Sequence, residues 1–429
     1  MKIEYLPHQL RSLLDTVRSK RQRFGPEHTY CLMTQLIRAM AYLHQNRVMH
    51  RDLKPDNILM CKDGYLKVAD FGMARECKLP ARQYTPGMCT LWYRAPELLL
   101  LSTEYSTSVD MGSIGCIFAE FINLWPLFQG ESETDQLKKM YKVLGTPSDT
   151  VWPGYNTLPL VGDIKFDEYA PSGLRIELKH KILSDSGLDL LQRMLKYDPK
   201  RRISAKEALR HKYFDDEPVT ISPDEFLKSL DLEDDHEDTE SNTEGDEQSD
   251  SDTGDDEQSG SDMEDEGKSE YIMNSVNMFE MYHVADFTSS NQGTQDQSDN
   301  ENKELLAAYD QYLDRCGSIE DYEHIKTIDE GTYGVVYKAT HKQTGELVAI
   351  KYLKCFDSEE RFSIAAAREL KFLMNLWHEN IVLVHELAMG SSRSEMFIVM
   401  EYLPHQIRSL YWIQCAAKDK GLTRNIYIV

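Results

Sequence analysis

The chain has 429 residues, 41% of them hydrophobic, so it is long enough for two or three domains with buried cores. Its formal net charge is −24, but residues 231–270 hold 20 acidic residues and one lysine and so account for −19 of it. The rest of the chain is nearly neutral, which argues against a nucleic-acid-binding surface.

Cysteine usage and hydropathy predict an intracellular protein. The eight cysteines form neither a Cys-X-X-Cys pair nor a Cys/His metal pattern, which is typical of reduced thiols. The sequence has no run of 18 apolar residues and does not start with a signal-peptide pattern. We therefore expect a nuclear and/or cytoplasmic protein that binds neither membranes nor nucleic acid.

Residues 1–230 are predicted to be mainly helical. Apolar side chains recur at helical spacing after Pro26, a residue favoured in the first turn of a helix: Met33, Leu36, Ile37, Met40 and Leu43. Residues 109–122 are apolar on nearly all sides, as in a helix buried at the centre of a domain. Residues 200–214 are predicted to form a further helix.

Residues 231–302 are dominated by Ser, Asp, Glu, Gln, Asn and Thr. Such a segment cannot bury enough apolar surface to offset its ordering entropy, so we predict a disordered acidic linker. Two roles stay open for it. It is either a solvated spacer or a target of an acidophilic kinase at Ser249, Ser251, Ser259 and Ser261.

Residues 303–410 are predicted to form a small sheet with one helix, and residues 411–429 a divergent tail. The β-rich runs cover residues 322–328, 335–340, 347–353, 381–387 and 396–401. The helix is expected over residues 359–377. The predicted fold class is therefore α+β, with a helical domain, a linker and a β-rich domain in that order.

A nine-residue repeat occurs near both ends of the chain. Residues 5–13 are YLPHQLRSL, residues 402–410 are YLPHQIRSL, and a glutamate precedes each copy. Eight of the nine positions agree, and the sequences diverge completely afterwards. We therefore expect the same junction element to be present twice.

Two motifs in the helical part are specific for phosphoryl transfer. The sequence HRDLKPDN begins at His50, and Asp-Phe-Gly follows 13 residues after Asn57. Asp52 fits the carboxylate that orients an attacking hydroxyl and accepts its proton, and Lys54 can neutralise charge on the transferring group. Asn57 and Asp70 are the predicted ligands of Mg²⁺.

The β-rich part contains the phosphate-binding counterpart. The sequence EGTYGVV begins at Glu330, and Gly331 and Gly334 let backbone N–H groups approach phosphate oxygens. Lys351, in the sequence VAIK, would bind the α- and β-phosphates. Glu369 on the predicted helix would orient this lysine.

A third motif, Ala-Pro-Glu at residues 95–97, closes the segment that starts at Asp70. Glu97 needs a cationic partner if it is buried, and Arg202 in the sequence KRRISA is the expected one. Thr85 lies within this segment, where a phosphate would add about two negative charges and order the segment by pairing with arginines.

Together these residues make the chain resemble a cyclin-dependent protein kinase of the PITSLRE subgroup. The resemblance covers about residues 1–225 and 316–410 and rests on TLWYRAPELLL from Thr90, LGTPSDTVWPGY from Leu144, EGTYGVVYKA from Glu330 and FSIAAARE from Phe362. It implies ATP- and Mg²⁺-dependent phosphorylation of Ser/Thr before Pro in protein substrates. It also implies a cyclin partner and a role in the cell cycle, transcription or splicing.

The resemblance further implies which residues contact the nucleotide: Ile328, Gly331, Gly334, Val336, Ala349, Lys351, Glu369, Glu401, Leu403 and Leu59. Thr332 and Tyr333 match inhibitory phosphosites of the family. Two departures have expected costs. Asp329 replaces the first glycine of the loop and should loosen the grip on the nucleotide, and Gly112 replaces a tryptophan and should leave a cavity worth a few kcal/mol.

The order of the parts is inverted relative to the family, because the large catalytic lobe precedes the small ATP-binding lobe. Three arrangements stay open. The lobes assemble within one chain as a permuted kinase; or they are pieces of tandem kinase copies that never close, a catalytically impaired pseudokinase-like pair that binds cyclins or kinase partners; or they pair between two chains in a lobe-swapped dimer.

The linker and the repeat favour different arrangements. About 85 disordered residues have an r.m.s. span near 50 Å, which is enough for assembly within one chain. The repeat favours a tandem origin, and only one of its copies can face the adenine. Since the covalent hinge is lost and a misplacement of about 1 Å can cost about 100-fold in rate, we expect weak or conditional activity.

Overall fold

The computed structural model describes residues 8–77, 91–163, 166–178, 183–216, 221–230, 316–331, 334–353, 364–391 and 395–403. Residues 1–232 and 305–429 belong to one unit, and residues 233–304 to a second. The second unit, and with it the predicted linker and its four serines, lies outside the described residues. We call residues 8–230 the helical region and residues 316–403 the sheet region.

The helical region is built around two long helices. Its helices are α1 Leu10–Ser19, α2 Pro26–Gln45, α3 Pro96–Leu99, α4 Ser108–Asn123, α5 Glu133–Leu144, α6 Pro159–Asp163, α7 Leu174–Glu177, α8 Asp185–Met194, α9 Ala205–Ala208, α10 Tyr213–Asp216 and α11 Pro223–Ser229. As predicted, α2 begins at Pro26, and α4 is buried from Val109 to Ile122. No helix within the described residues is long and apolar enough to cross a membrane.

Short strands position the loops of this region. They are β1 His8–Gln9, β2 Val48–Met49, β3 Ile58–Met60, β4 Leu66–Val68 and β5 Arg75–Glu76. One sheet has the order β1-β3-β4, with antiparallel pairs, and β2 pairs with β5. The sequence predicted none of these five strands, because elements of two or three residues are too short to show an alternating pattern.

The sheet region contains a six-stranded sheet and one helix. Its elements are β6 Gly317–Ser318, β7 Tyr322–Gly331, β8 Gly334–His341, β9 Leu347–Leu353, α12 Ile364–Leu373, β10 Val384–Met389 and β11 Met396–Glu401. The strand order is β6-β10-β11-β9-β8-β7, and every pair is antiparallel except β6 with β10. Five of these strands were predicted, and β6 was missed.

The helix predicted over residues 200–214 is wrong as a single element. The structure has two one-turn helices there, α9 and α10. The reason is a capping box: the Ser204 hydroxyl accepts from the backbone N–H of Glu207, and the Glu207 carboxylate accepts from that of Ser204. This arrangement satisfies the free N–H groups of a helix start, so α9 begins at Ala205.

Two predicted boundaries in the sheet region also shift. Helix α12 ends at Leu373, where the Asn375 side chain donates to the carbonyl of Lys371 at 2.6 Å. Strand β10 begins at Val384 and not at Ile381, because Ile381 forms a parallel bridge with Val68 of the helical region. A local side-chain contact thus accompanies the end of α12, whereas a contact with the helical region overrides the local pattern before β10.

The structure contains the predicted ion pair between Glu97 and Arg202. The pair is bidentate, with distances of 2.7 and 2.8 Å, and the side chains are 1% and 0% exposed. The guanidinium also donates to the carbonyls of Lys196 and Ser108. Arg202 therefore ties α3 to the start of α4.

The guanidinium of Arg202 also fills space beside Gly112. A Cβ atom placed on Gly112 would lie 3.3 Å from the Cβ of Ala95 and 3.4 Å from Nη1 of Arg202. The cavity expected from the missing tryptophan is thus reduced, because Ala95 and Arg202 lie directly against the helix backbone.

Replacing Arg202 with methionine is expected to lower the free energy of unfolding by about 3–5 kcal/mol, because Glu97 would stay buried without its partner. Urea unfolding of the purified chain measures this difference. The matched control is Arg175→Met, which breaks an ion pair to Asp185 whose side chains are 57% and 95% exposed. The control should cost no more than about 0.5 kcal/mol. Equal costs for the two substitutions would contradict the prediction.

Candidate active site

The predicted catalytic residues of the helical region lie together between β2 and β3. The Asn57 amide donates to the backbone carbonyl and to Oδ2 of Asp52, at 2.8 and 2.9 Å. The Lys54 ammonium lies 3.1 Å from the same Oδ2 atom. Asp52 is therefore fixed by two neighbours, and Oδ1 of Asn57 remains available as an oxygen ligand.

A buried carboxylate that the sequence did not single out holds this loop. Asp110, 0% exposed in the first turn of α4, accepts from the backbone N–H groups of His50 at 3.0 Å and Arg51 at 2.8 Å. His44 hydrogen-bonds to it at 2.9 Å. An acidic residue inside an otherwise apolar helix was the signal that could have revealed it.

The charge of Asp110 is maintained by these contacts. Burial acts to raise its pKa, but the hydrogen bond and charge of His44, together with His50 and the N–H of Arg51, outweigh burial and lower the pKa below its usual range. The loop it holds is strained, since Arg51 has a φ of 68°. A buried, ionised carboxylate thus stabilises an unfavourable backbone.

The Asp-Phe-Gly motif packs on the catalytic loop. The rings of Phe71 and His50 lie 4.9 Å apart, and Nε2 of His50 hydrogen-bonds to the carbonyl of Ala69 at 3.0 Å. Phe71 is fully buried, whereas the side chain of Asp70 is 29% exposed. Asp70 also has a left-handed backbone, with a φ of 62°. Its carboxylate can therefore reach solvent or a metal ion while the following ring is anchored.

A lysine of the sheet region lies close to the carboxylate of Asp70. Nζ of Lys351 lies 2.7 and 3.0 Å from the two carboxylate oxygens of Glu369, on α12, and 3.6 Å from Oδ1 of Asp70. The predicted pair of Lys351 and Glu369 is thus formed, and it faces the helical region. Residues far apart in the chain meet at one point.

Burial and charge oppose each other in this cluster. Burial acts to lower the pKa of Lys351, but the carboxylates of Glu369 and Asp70 outweigh it and raise the pKa. Burial raises the pKa of Glu369, and Lys351 counteracts this. The lysine stays charged and is held where it can meet an anionic group.

Five of the residues predicted to contact the nucleotide lie in two apolar clusters that share Met400. The first contains Ala349, Tyr402, Ile328 and Val336, and the second contains Cys61, Val382, Leu403 and Leu59. Leu59 and Cys61 belong to the helical region, and the other residues named in the two clusters belong to the sheet region. The predicted pocket is therefore lined from both regions.

Glu401 was also predicted to contact the nucleotide. In the structure it makes contacts within the protein. Its carboxylate lies 2.9 Å from Nζ of Lys67 and accepts from the backbone N–H of Leu383 at 2.8 Å.

Gly331 and Gly334 pair with each other at the end of the β7–β8 hairpin. The predicted phosphosites Thr85, Thr332 and Tyr333 lie outside the described residues.

Backbone hydrogen bonds join the two regions. The N–H of Val68 donates to the carbonyl of Asn380 at 2.9 Å, and the N–H of Val382 donates to the carbonyl of Val68 at 3.0 Å. The Asn380 amide, 1% exposed, donates to Gln35 at 3.0 Å and to the carbonyl of Leu66 at 2.9 Å. The segment before β10 thus extends the contacts of the small sheet in the helical region.

The two copies of the repeat contribute different residues to this contact. In the first copy, His8 and Gln9 form β1, with Gln9 opposite Leu59, and α1 follows. In the second copy, Tyr402 and Leu403 continue from β11, and Leu403 packs on Cys61. Both copies therefore converge on the turn from β3 to β4.

A further network on α1 was missed by the sequence. Arg11 ion-pairs with Glu120, which is buried on α4, and its Nε lies 3.7 Å from Oδ2 of Asp56 in the catalytic loop. Tyr93 donates to Glu120 at 2.6 Å. The arginine gave no signal in the sequence, because its partners lie about 45, 80 and 110 residues away along the chain.

Residues 1–214 and 322–425 match the family model of the protein kinase domain. Because this match covers well over half of the chain, the chain belongs to the protein kinase family. Within the family it is similar to cyclin-dependent kinases near the PITSLRE group.

Two relatives illustrate this similarity. Over 229 residues the chain is 49% identical to serine/threonine-protein kinase PITSLRE of Drosophila melanogaster, covering 52% of this chain and 24% of the relative. Over 224 residues it is 49% identical to cyclin-dependent kinase 11B of Homo sapiens, covering 52% and 28%. The match thus spans about a quarter of the length of these relatives.

A crystal structure of the yeast RNA Pol II CTD kinase CTDK-1 complex shares 36% identity with this chain. It covers 51% of this chain and 71% of its own, with a TM-score of 0.48, which is too low to support an argument about the fold.

Replacing Asp110 with asparagine is expected to loosen the catalytic loop, because an amide has one acceptor oxygen for the two N–H groups that the carboxylate now binds. Hydrogen exchange at His50 and Arg51 should become at least about tenfold faster. In the wild type the protection should hold at all pH values above about 4. The pKa of Asp110 is lowered on folding, so its contribution is lost only as the pH falls through the folded value.

The control for this experiment is Asp189→Asn, which also removes a carboxylate hydrogen-bonded to a histidine. Asp189 lies 2.8 Å from His211, but its side chain is 46% exposed and outside the catalytic loop. Unchanged exchange at His50 and Arg51 in Asp110→Asn would refute the anchoring role.

Proposed function

We propose that this chain transfers the γ-phosphoryl group of ATP to serine or threonine hydroxyls of protein substrates. The observation that carries the proposal is the convergence of Lys351 and Glu369 from the sheet region on Asp70 of the helical region, next to Asp52. A lysine held by a buried glutamate is poised for the nucleotide phosphates, and a carboxylate fixed by Asn57 is poised for the attacking hydroxyl.

The oxygen ligands fit Mg²⁺. The ion is usually bound by one or two protein carboxylates together with substrate phosphates, and Asp70 and Asn57 would supply a carboxylate and an amide oxygen. When bound, the ion would neutralise charge on the β- and γ-phosphates. Lys54, 3.1 Å from Asp52, is placed to offset charge on the transferring group.

We also propose that the two regions assemble within one chain, as a permuted kinase domain with a divided hinge. Tyr402 and Leu403 of the second copy follow β11, and His8 and Gln9 of the first copy begin the described part of the helical region. In this arrangement we infer that the copies do not compete for the adenine, because the described residues of the first copy lie in the helical region and those of the second follow the sheet. This supports an active assembly over the pair of unclosed fragments.

The resemblance to cyclin-dependent kinases supports three finer proposals. They are a preference for Ser/Thr followed by Pro, activation by a cyclin that binds near α12, and a nuclear and/or cytoplasmic role in the cell cycle, transcription or splicing. The name of cyclin-dependent kinase 11B mentions only the cyclin, so the other two proposals rest on the sequence motifs alone, and the relatives are about four times longer than the matched part.

The direct test measures phosphate transfer from ATP with Mg²⁺, with and without a cyclin, for wild type and Asp52→Asn. Loss of the base should lower the rate by about 10²–10⁴-fold. The matched control is Asp63→Asn, an exposed aspartate in the β3–β4 turn, which should leave the rate unchanged. Equal transfer by wild type and Asp52→Asn would exclude catalysis at this site, and cyclin binding retained by such an inactive chain would favour the binding-only alternative.

A second test measures whether the sheet region packs on the helical region. It does not depend on catalytic activity. Cys61 is 6% exposed and packs on Val382 and Leu403, and burial raises its pKa to about 12. At about pH 8.5 its alkylation by iodoacetamide should therefore be very slow. Leu403→Asp should expose this thiol and speed its alkylation by at least about tenfold.

Cys116 provides the control within the same molecule. It is 2% exposed on α4, far from the sheet region in sequence, and burial raises its pKa to about 12 as well. It should stay protected in Leu403→Asp. Rapid alkylation of Cys61 in the wild type would contradict docking, and alkylation that accelerates on dilution would indicate pairing between two chains.

A further inference from the structure

The guanidinium of Arg11 is seated in a cluster of acidic and hydroxyl groups at the edge of the catalytic loop. Its Nη1 atom donates to Oε1 of Glu120, and its Nη2 atom donates to the hydroxyl of Tyr93. That hydroxyl in turn donates to Oε2 of Glu120 at 2.6 Å. The Nε atom of Arg11 lies 3.7 Å from Oδ2 of Asp56. One guanidinium thus meets two carboxylates and a hydroxyl, each through a different nitrogen.

The charges in this cluster depend on one another. Burial acts to lower the pKa of Arg11, but its acidic neighbours, Glu120 foremost, outweigh burial and raise the pKa. Burial raises the pKa of Glu120, and the charge of Arg11 counteracts this rise, whereas Asp56 adds to it. The two carboxylates therefore share the positive charge of Arg11, and without a cation they would repel each other.

The arginine separates the deepest carboxylate from solvent. The side chain of Glu120 is 0% exposed, that of Arg11 is 20% exposed and that of Asp56 is 41% exposed. Tyr93 is buried. A side chain that is shorter than arginine by a guanidinium group would therefore leave a space next to Asp56. The space would be lined by the carboxylates and the tyrosine hydroxyl, and its shape already fits a guanidinium.

The cluster lies beside the residues proposed to act on the substrate hydroxyl. Asp56 directly precedes Asn57, whose amide donates to Oδ2 of Asp52 at 2.9 Å. Since consecutive Cα atoms are about 3.8 Å apart, this contact keeps Asp56 within roughly 10 Å of the proposed base. An extended peptide rises about 3.3 Å per residue. Side chains within about three residues of the acceptor hydroxyl could therefore reach the cluster.

We propose that Arg11 is a specificity-determining residue, whose guanidinium occupies an acidic subsite for a substrate side chain from within the chain. A substrate arginine would otherwise bind there, because carboxylates accept charge-assisted hydrogen bonds from a guanidinium. With Arg11 in place, the chain does not select a basic side chain next to the acceptor hydroxyl. The inference rests on the proposed function for the identity of the ligand as a protein substrate.

The experiment measures peptide binding to the full chain without ATP, so that a catalytic defect does not affect the result. Fluorescent peptides carry a central Ser-Pro pair among neutral residues, with either arginine or alanine at one position within three residues of the serine. For the wild type, fluorescence anisotropy should show less than about a twofold difference between the two peptides of each pair. In Arg11→Met, the arginine peptide should bind at least about tenfold more tightly at one position, because a hydrogen bond to a charged group contributes about that factor.

Further variants test the identity of the subsite. Arg11→Lys keeps a cation beside Glu120 and should show no preference for arginine. Arg11→Met combined with Glu120→Gln removes both charges and should bind the two peptides within about threefold of each other. Arg11→Gln removes the charge but keeps a donor for Glu120, and it replaces Arg11→Met if circular dichroism shows that the latter does not fold.

The matched control is Arg193→Met, which breaks an ion pair on α8. Nε of Arg193 lies 2.9 Å from Oδ2 of Asp189, and the two side chains are 50% and 46% exposed. This variant loses the same charge as Arg11→Met but leaves the cluster intact. It should bind the arginine and alanine peptides as the wild type does.

Three outcomes would overturn the proposal. A tenfold preference for arginine in the wild type would show that Arg11 does not fill the subsite. No preference in a folded Arg11→Met or Arg11→Gln chain would show that the cluster does not take a substrate side chain. The same gain in Arg193→Met would show that binding follows net charge.

This inference and the proposed function fail in different ways. Variants that gain the preference in a chain that transfers no phosphate would refute the proposed function alone. A chain that transfers phosphate while its folded Arg11 variants bind both peptides equally would refute the role of Arg11 alone.

Discussion

Strand β4 of the helical region and residues 380–382 of the sheet region share two backbone hydrogen bonds, at 2.9 and 3.0 Å, and the position of Lys351 depends on the orientation that they set. Asn380, Ile381 and Val382 are 1–3% exposed. Each buried aliphatic side chain contributes about 1.5–3 kcal/mol, and each hydrogen bond about 1 kcal/mol. The contact therefore amounts to several kcal/mol.

Several kcal/mol is small for two separate proteins but sufficient within one chain. Association of free partners costs about 4–15 kcal/mol in lost translational and rotational freedom. A covalent connection turns the same step into an intramolecular one at an effective concentration of about millimolar. The 85 residues between Leu230 and Cys316 provide that connection. Loss of the usual hinge peptide is thus offset by a different covalent path.

The sequence revealed most of what is local and little of what is distant. The apolar repeat after Pro26 predicted α2, and the β-rich run around Ala349 predicted β9, because each pattern lies within one element. The paired Lys351 and Glu369 were found because they belong to recognised motifs. Asp110 and Arg11 were missed, since their function depends on partners that only the fold brings near.

The repeat also illustrates how little the sequence alone reveals about contacts between distant residues. As a sequence it favoured two equivalent hinges, of which only one could be used. In the fold, the copies differ in what they adjoin: the first leads into α1, whose Arg11 reaches Glu120, while the second follows β11. The described residues show different positions of the repeat, residues 8–13 in the first copy and residues 402–403 in the second.

If the two regions assemble within one chain as proposed, the division of the site between them determines where the inverted order would matter. Asp52, Lys54 and Asn57 are held by one another within the helical region, and Asp110 fixes their backbone from the same region. Their geometry therefore does not depend on how the sheet region docks. Only Lys351 and the apolar cluster around Ala349 depend on docking, and these are the groups proposed to bind the nucleotide. In the proposed assembly a small error in docking would misplace the phosphates relative to an intact base, so a cost of the inverted order would fall on the binding and orientation of ATP rather than on deprotonation of the substrate.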